Sequence, residues 1–243
     1  MTSLSVSLEQ VSLFFPMKTS SNNPIANILG KISEKTSYAA LNCINLNVKK
    51  GEIVGILGKN GSGKTTLLKT IARIYRPDKG RVLTSGRATL LSNIQGGMNE
   101  QLTGIENIKL RGAILGFTSE QIENFSDDII KFADIGQFIN QPLKTYSSGM
   151  RTRLGFAITC FANPEIILLD ETMAVGDHEF TKKSKKKIFE MVKSDATAII
   201  ATHSASVLRL VCDRVIYLEN GKQIPVKDTE HAIRLYRGED EEE

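Results

Sequence analysis

The sequence predicts an α/β fold in which a mostly parallel sheet is flanked by helices and interrupted by a helical insert between about Met98 and Ala162. Three observations predict it. Short apolar runs, among them Ile53–Leu57, Ile166–Leu169 and Ala198–Ala201, alternate with amphipathic segments. The first of these runs leads into a glycine-rich stretch that opens a helix. Between Thr103 and Phe161 three helical patterns follow one another.

Taken in order, Leu4 to Phe15 begins with alternating apolar residues and predicts a strand. The polar stretch from Pro16 to Ser37 contains Ile25, Ile28, Leu29 and Ile32 at helical spacing, which predicts a short helix from Pro24. Leu41 to Val48 alternates again, and Gly51 turns the chain into Ile53–Leu57. A helix is expected from Gly63 to Tyr75, then a turn at Pro77-Asp78-Lys79-Gly80 and short strands from Val82 to Leu91. Thr103-Gly104-Ile105-Glu106 fits a capping box opening a helix through Leu115, ended by Gly116. Further helices are expected from Ser119 to Ala133 and from Ser147 to Phe161. After Pro164 come the strand Ile166–Leu169, a basic helix from about His178 to Val192 and the strand Ala198–Ala201. A helix near Ala205–Cys212 and the strand Val215–Leu218 follow.

Composition bounds the class. The 243 residues suffice for a single domain with a real core, and 41% are hydrophobic, as in globular proteins. The apolar runs fall far short of the roughly 20 residues of a membrane helix, and Met1 to Gln10 lacks a secretory pattern, so a cytosolic location is expected. Cys43, Cys160 and Cys212 are odd in number and scattered, which points to reduced thiols rather than a metal site. The net charge of +4 becomes +9 without the acidic tail Glu239 to Glu243, and a basic body suits phosphates or an anionic surface. Lys182, Lys183, Lys185, Lys186 and Lys187 read as a solvated helix face.

Gly58-Lys59-Asn60-Gly61-Ser62-Gly63-Lys64-Thr65, followed by Thr66, matches the phosphate-binding loop in full. Glycines let backbone N–H groups turn inward around phosphates, and the following helix points its positive end at the same anion. Lys64 supplies a charge to the terminal phosphates and Thr65 a hydroxyl to Mg²⁺.

The run Ile166-Ile167-Leu168-Leu169 ends in Asp170-Glu171. At the carboxyl end of a parallel strand Asp170 can organise Mg²⁺, and Glu171 can act as general base on an attacking water. His203 ends the next apolar strand, Thr197 to Thr202, a position suited to a γ-phosphate contact.

Lys144-Thr145-Tyr146-Ser147-Ser148-Gly149-Met150-Arg151, just before a helix, resembles the signature motif of ATP-binding cassette transporters, usually Leu-Ser-Gly-Gly-Gln. Ser147 and Gly149 match, while Tyr146, Ser148 and Met150 depart. That altered form is similar to the version in exporters of bacterial polysaccharides, namely O-antigen, capsule and teichoic acid. Ala174-Val175-Gly176-Asp177 resembles the same group's D-loop, as Gln101 to Ile108 resembles its counterpart, and the likeness covers roughly residues 38 to 237.

The resemblance implies a P-loop ATPase core with an antiparallel β subdomain and an inserted helical subdomain. It implies one cassette over residues 1–243, with the helical part at about 98–162, a variable insertion at about 16–37 and an acidic tail at 238–243. Ser147, Ser148 and Gly149, at a helix N-terminus, would grip ATP held by a second copy, with Asp177 across the same interface. A simple helix cap at Ser147 or Ser148 is compatible with that role. Tyr38, twenty residues before Gly58, is the candidate for stacking on adenine, against the alternative of a core tyrosine. Counting back from Leu102-Thr103-Gly104 puts the family's glutamine-loop position, with its tie to water or Mg²⁺, at Asn99, with Gln95 as the alternative. The segment Pro24–Ile32 is expected to pack on its own domain or near the channel entrance.

The expected function is therefore ATP hydrolysis coupled to export of a lipid-linked polysaccharide across the inner membrane. The expected cofactors are ATP and Mg²⁺. The expected partners are a second copy of this chain and two copies of a membrane permease, through which alone the chain meets the membrane, with no nucleic acid. Alternatives are a drug or lipid exporter, or a soluble cassette ATPase. DNA-repair members carry a long coiled coil, whereas Lys64 to Ser147 shows no sustained heptads, and translation members usually carry two cassettes. The chain ends near the end of the cassette, so it is expected not to select the glycan itself.

Overall fold

The computed structural model describes residues 3–17, 37–91, 96–161, 164–170, 178–193 and 196–239. In chain order its elements are β1 (Leu4–Pro16), β2 (Ser37–Lys49), β3 (Ile53–Leu57), α1 (Lys64–Ile71), β4 (Lys79–Thr84), β5 (Ala88–Leu90), α2 (Gly104–Ile114) and α3 (Ser119–Ala133). They continue with α4 (Ser148–Phe161), β6 (Ile166–Asp170), α5 (His178–Lys193), β7 (Thr197–Ala201), α6 (Ala205–Val211), β8 (Arg214–Glu219), β9 (Lys222–Ile224) and α7 (Thr229–Arg237). Two compact units result, Met1–Ser85 with Ile199–Glu243, and Gly86–Ala198. The second unit is larger than the expected helical insert, because β5, β6 and α5 belong to it.

In the first unit β1 pairs antiparallel with both β2 and β4, forming the expected antiparallel sheet. Alternation on β2 buries Leu41, Ile44, Leu46 and Val48 and exposes the residues between. β3 pairs in parallel with β8, and Thr202, directly after β7, donates its N–H to Ile56 O at 3.2 Å. A hairpin joins β8 to β9 through Asn220 (φ 47°) and Gly221 (φ 74°), the two left-handed positions that a type I′ turn requires. Behind these strands Leu208, Ala232 and Ile233 from α6 and α7 pack with Leu57, Val215 and Tyr217. The α1 helix stops at Ile71, four residues short of the expected end, because Arg73 takes a left-handed φ of 59° and Lys69 O accepts Ile74 and Tyr75 N–H.

In the second unit β5 and β6 pair in parallel. Thr103 and Glu106 form the expected capping box at α2, and Thr118 with Gln121 forms another at α3. The helices close over a core of Ile108, Ile122, Ile129, Leu143, Leu154 and Ile158. Phe132, Phe156, Phe161 and Phe180 form a contiguous aromatic cluster. Lys182, Lys183, Lys185 and Lys186 of the expected solvated face are exposed and Lys187 is half-buried, and two of the run also cover these rings. Lys183 Nζ lies 4.5 Å over the Phe132 ring and donates to Phe132 O, while Lys187 Nζ lies 4.4 Å over Phe161. Among the described residues no helix is long and apolar enough to cross a membrane.

Candidate nucleotide site

The first unit carries the phosphate loop. Five apolar residues of β3 fix its start, and α1 opens at Lys64 immediately after Gly63. Gly63 has φ 107°, and a Cβ there would lie 2.6 Å from Ala40 O. A Cβ on Gly58 would strike Leu218 O and come within 2.5 Å of Ser62 Oγ. Both glycines are therefore dictated by close backbone approach, not by turn preference alone. Lys64 Nζ donates to Gly58 O at 2.6 Å and to Lys59 O at 3.0 Å, across the mouth of the loop. Ser62 N donates to Lys59 O, and Ser62 O accepts from Gly221 N at 3.0 Å. The Ser62 hydroxyl is buried without a partner among the described residues. Lys59, Asn60, Gly61 and Thr65 are exposed, and Thr66 is half-buried.

Two further expected residues share this unit. Tyr38 is 46% exposed, which removes the core-tyrosine alternative, and its hydroxyl donates to Gly61 O at 3.2 Å. His203 is exposed directly after Thr202, in a turn closed by Ser204 N donating to Thr202 Oγ1 at 3.0 Å. Since Thr202 N bonds Ile56 O, the His203 turn leaves beside the strand that feeds the phosphate loop.

The second unit carries Asp170, the last residue of β6. Only 4% of Asp170 is exposed, and its Oδ2 has no hydrogen-bond partner among the described residues. A buried, unpartnered carboxylate oxygen is costly unless something charged satisfies it. A hard divalent cation held by one carboxylate and by substrate phosphates fits that atom, and this is the ordinary habit of Mg²⁺. Among the described residues there is no cluster of three or more His, Cys, Asp or Glu.

The same unit presents Ser147 and Ser148, both exposed. Ser147 Oγ accepts Met150 N–H at 3.2 Å, so the helix-cap reading of Ser147 holds. Gly149 leaves space above the helix end, since among the described residues a Cβ there would meet only Ser147 Oγ, at 3.8 Å. Tyr146, which departs from the usual leucine, is buried and donates from its hydroxyl to Phe138 O at 2.6 Å. Burial, opposed only by a hydrogen bond with the Gly104 backbone, pushes this phenol up to about 12. Asn99 is exposed, and its amide oxygen accepts Gln101 N–H at 2.9 Å. One lone pair of the proposed metal or water ligand is thus already used within its own turn.

Glu171, Asp177, Gln95, Ala162 and the Pro24–Ile32 segment lie outside the described residues. Sequence reading missed Gly221, whose N–H braces Ser62, although Asn220-Gly221 is a strong hairpin signal.

Comparison with known proteins agrees with this geometry. The family described as "ABC transporter" matches residues 41–174. The teichoic acids export ATP-binding protein TagH of Bacillus cereus is 40% identical over 232 residues, 96% of this chain and 42% of that protein. The O-antigen export system ATP-binding protein RfbB of Klebsiella pneumoniae is 38% identical over 200 residues, 82% of this chain and 81% of that protein. The chain thus spans less than half the length of the Bacillus relative. Among solved structures, the dimeric post-hydrolysis cassette MJ0796 bound to ADP and Pi has a TM-score of 0.68 at 23% identity, covering 92% of this chain and 98% of that one. An ATP-binding subunit of an ABC transporter has a TM-score of 0.70 at 18% identity, covering 97% and 94%. At such identities the structures establish the fold, and the family match and the curated relatives establish the kinship: this chain belongs to the ABC transporter family.

Proposed function

We propose that the chain is the ATP-binding and ATP-hydrolysing subunit of a transporter that exports a lipid-linked polysaccharide of the O-antigen, capsule or teichoic acid class. The observation that carries the ATPase reading is the phosphate loop, with Gly58 and Gly63 dictated by close backbone approach and the Ser62 hydroxyl buried and unpartnered among the described residues. The names of TagH and RfbB support the polysaccharide class. The chain would work as a homodimer beneath two copies of a membrane permease, on the cytoplasmic face of the inner membrane.

In this reading Tyr38 stacks on the base, and the loop Gly58–Gly63 with Lys64, Thr65 and Thr66 wraps the phosphates. Mg²⁺, when bound, neutralises phosphate charge and fixes their geometry. Thr65 and Asp170 would hold it, with Asn99 through its remaining lone pair. Glu171 takes the proton of the attacking water, and His203 donates to the γ-phosphate. Ser147, Ser148 and Gly149 complete the site from the second copy, with Asp177 at the same seam. Closing two copies over two nucleotides converts binding energy into movement, and product release resets it.

Purified Glu171→Gln should lose steady-state ATP hydrolysis by at least about 100-fold while still binding ATP. Hydrolysis at the wild-type rate would overturn the assignment. Co-expression with the neighbouring permease and identification of its bound cargo tests the polysaccharide class, and a drug or simple lipid in that cargo would replace it.

A further inference from the structure

Glu100 grips both flanks of the loop that carries Ser147. Its main-chain carbonyl accepts Lys144 N–H at 2.9 Å, three residues before Ser147. Its carboxylate receives Arg151 Nη1 at 2.7 Å, four residues after it. Arg151 N–H in turn donates to Ser147 O at 3.1 Å, and Leu143 N–H donates to Leu102 O at 2.9 Å. The turn on which Glu100 sits is itself rigid. Asn107 is fully buried; its Oδ1 accepts Asn99 N–H at 2.7 Å, and its Nδ2 donates to Asn99 O, Leu102 O and Thr103 O. Residues 99–103 and 142–151 are therefore one bonded body within the second unit.

From this we infer that Glu100 and Arg151 are positioning residues. They hold the Ser147 loop in the geometry that receives the nucleotide of the second copy, and they make any displacement of the Asn99 turn a displacement of Ser147. The pair is ill suited to a purely stabilising role. Arg151 is 28% exposed, but Glu100 is 63% exposed, and an ion pair with one partner so open to water contributes little to folding. Orientation is what a charge-assisted bond of this kind supplies. The inference rests on the trans role of Ser147 in the proposed function.

The test uses the full chain in the hydrolysis-blocked Glu171→Gln background. Glu100→Gln leaves the main-chain bond to Lys144 and removes the charge. ATP-driven dimerisation, followed by sedimentation, should weaken about tenfold, while binding of a fluorescent ATP analogue by the monomer and the melting temperature stay at parental values. The charge exchange Glu100→Arg with Arg151→Glu should recover most of the lost dimerisation. Parental dimerisation in Glu100→Gln overturns the inference and leaves the function standing. Joint loss of dimerisation, monomer binding and melting temperature overturns it in favour of a folding role. A parental chain that stays monomeric at saturating ATP overturns both the inference and the proposed completion of the site by a second copy.

Discussion

The hydroxyl of Tyr38 donates to the carbonyl oxygen of Gly61 at 3.2 Å, tying the start of β2 to the crest of the phosphate loop. The aromatic ring and the hydroxyl can therefore be separated by substitution. If the ring stacks on adenine, Tyr38→Ala loses about 1–3 kcal/mol of nucleotide affinity, roughly 5- to 150-fold in Kd. Tyr38→Phe keeps the ring and loses only a solvent-exposed neutral hydrogen bond, so its affinity should stay within about fivefold of wild type. Equilibrium titration with ATP distinguishes them. An equal loss in both variants would move the role of Tyr38 from stacking to bracing Gly61.

Asp170 ends β6 with its Oδ2 buried and unpartnered among the described residues. Among the described residues nothing replaces the water that this oxygen has lost, and a buried polar atom left so is costly. Asp170→Asn removes the charge at nearly constant volume. Its melting temperature without metal should equal or exceed that of wild type, and the increment that Mg²⁺-ATP adds to the wild type should largely vanish. Thermal melts with EDTA and with Mg²⁺-ATP measure both. A variant still stabilised by Mg²⁺-ATP as strongly as wild type would remove Asp170 from the metal site.

Much of the fold was legible because its signals are local. Thr103 and Glu106 announce α2 by reciprocal capping, and the apolar spacing from Ser119 to Ala133 marks α3 to the residue. The phosphate loop was legible because only glycine tolerates the approach of Leu218 O and Ala40 O. The losses have physical causes. Arg73 adopts a left-handed φ without being glycine, so nothing marked the early end of α1. The α7 helix was overlooked because its amphipathic run, with Ala232 and Ile233 buried, is only 9 residues long. The ring contacts of Lys183 and Lys187 were not foreseen, since the rings come from Phe132 and Phe161, distant in sequence. The role of Glu100 was invisible for the same reason: Arg151 lies 51 residues away.

Tyr146 stands where the usual family motif has leucine, and the structure explains why the two are not interchangeable here. The phenol is buried, packs edge-on to Phe138 at 6.3 Å and satisfies Phe138 O. Leucine would remove one of the two hydrogen bonds that Phe138 O accepts, the other coming from Gln141 N–H at 2.8 Å, and would empty part of the space beside Gly104, whose lack of a side chain makes room for the hydroxyl. Tyr146→Leu should therefore cost about 2–4 kcal/mol in urea unfolding, and Tyr146→Phe about 1 kcal/mol. A leucine variant as stable as wild type would show that the Ser147 loop does not depend on this anchor.

Glu52 supplies a test by pH. Its carboxylate accepts Arg214 Nε at 2.6 Å and Lys49 N–H at 2.7 Å, closing the turn between β2 and β3 onto the start of β8. Burial alone would raise its pKa. The Arg214 hydrogen bond, the Lys49 N–H and the charges of Arg214 and Lys49 outweigh burial and hold it below the ordinary 4.5. A depressed carboxylate contributes stability that is complete above the unfolded-state value and is lost as pH falls through the folded-state value. With Arg214 partly exposed, solvent screening limits the effect, so Glu52→Gln should cost about 1 kcal/mol at pH 7. Urea midpoints of wild type and Glu52→Gln should stay equally separated from pH 7 to pH 5 and converge below pH 4.5. A separation that persisted unchanged at lower pH would mean that the amide fails by shape and not by charge, and would remove the Arg214 ion pair as the cause.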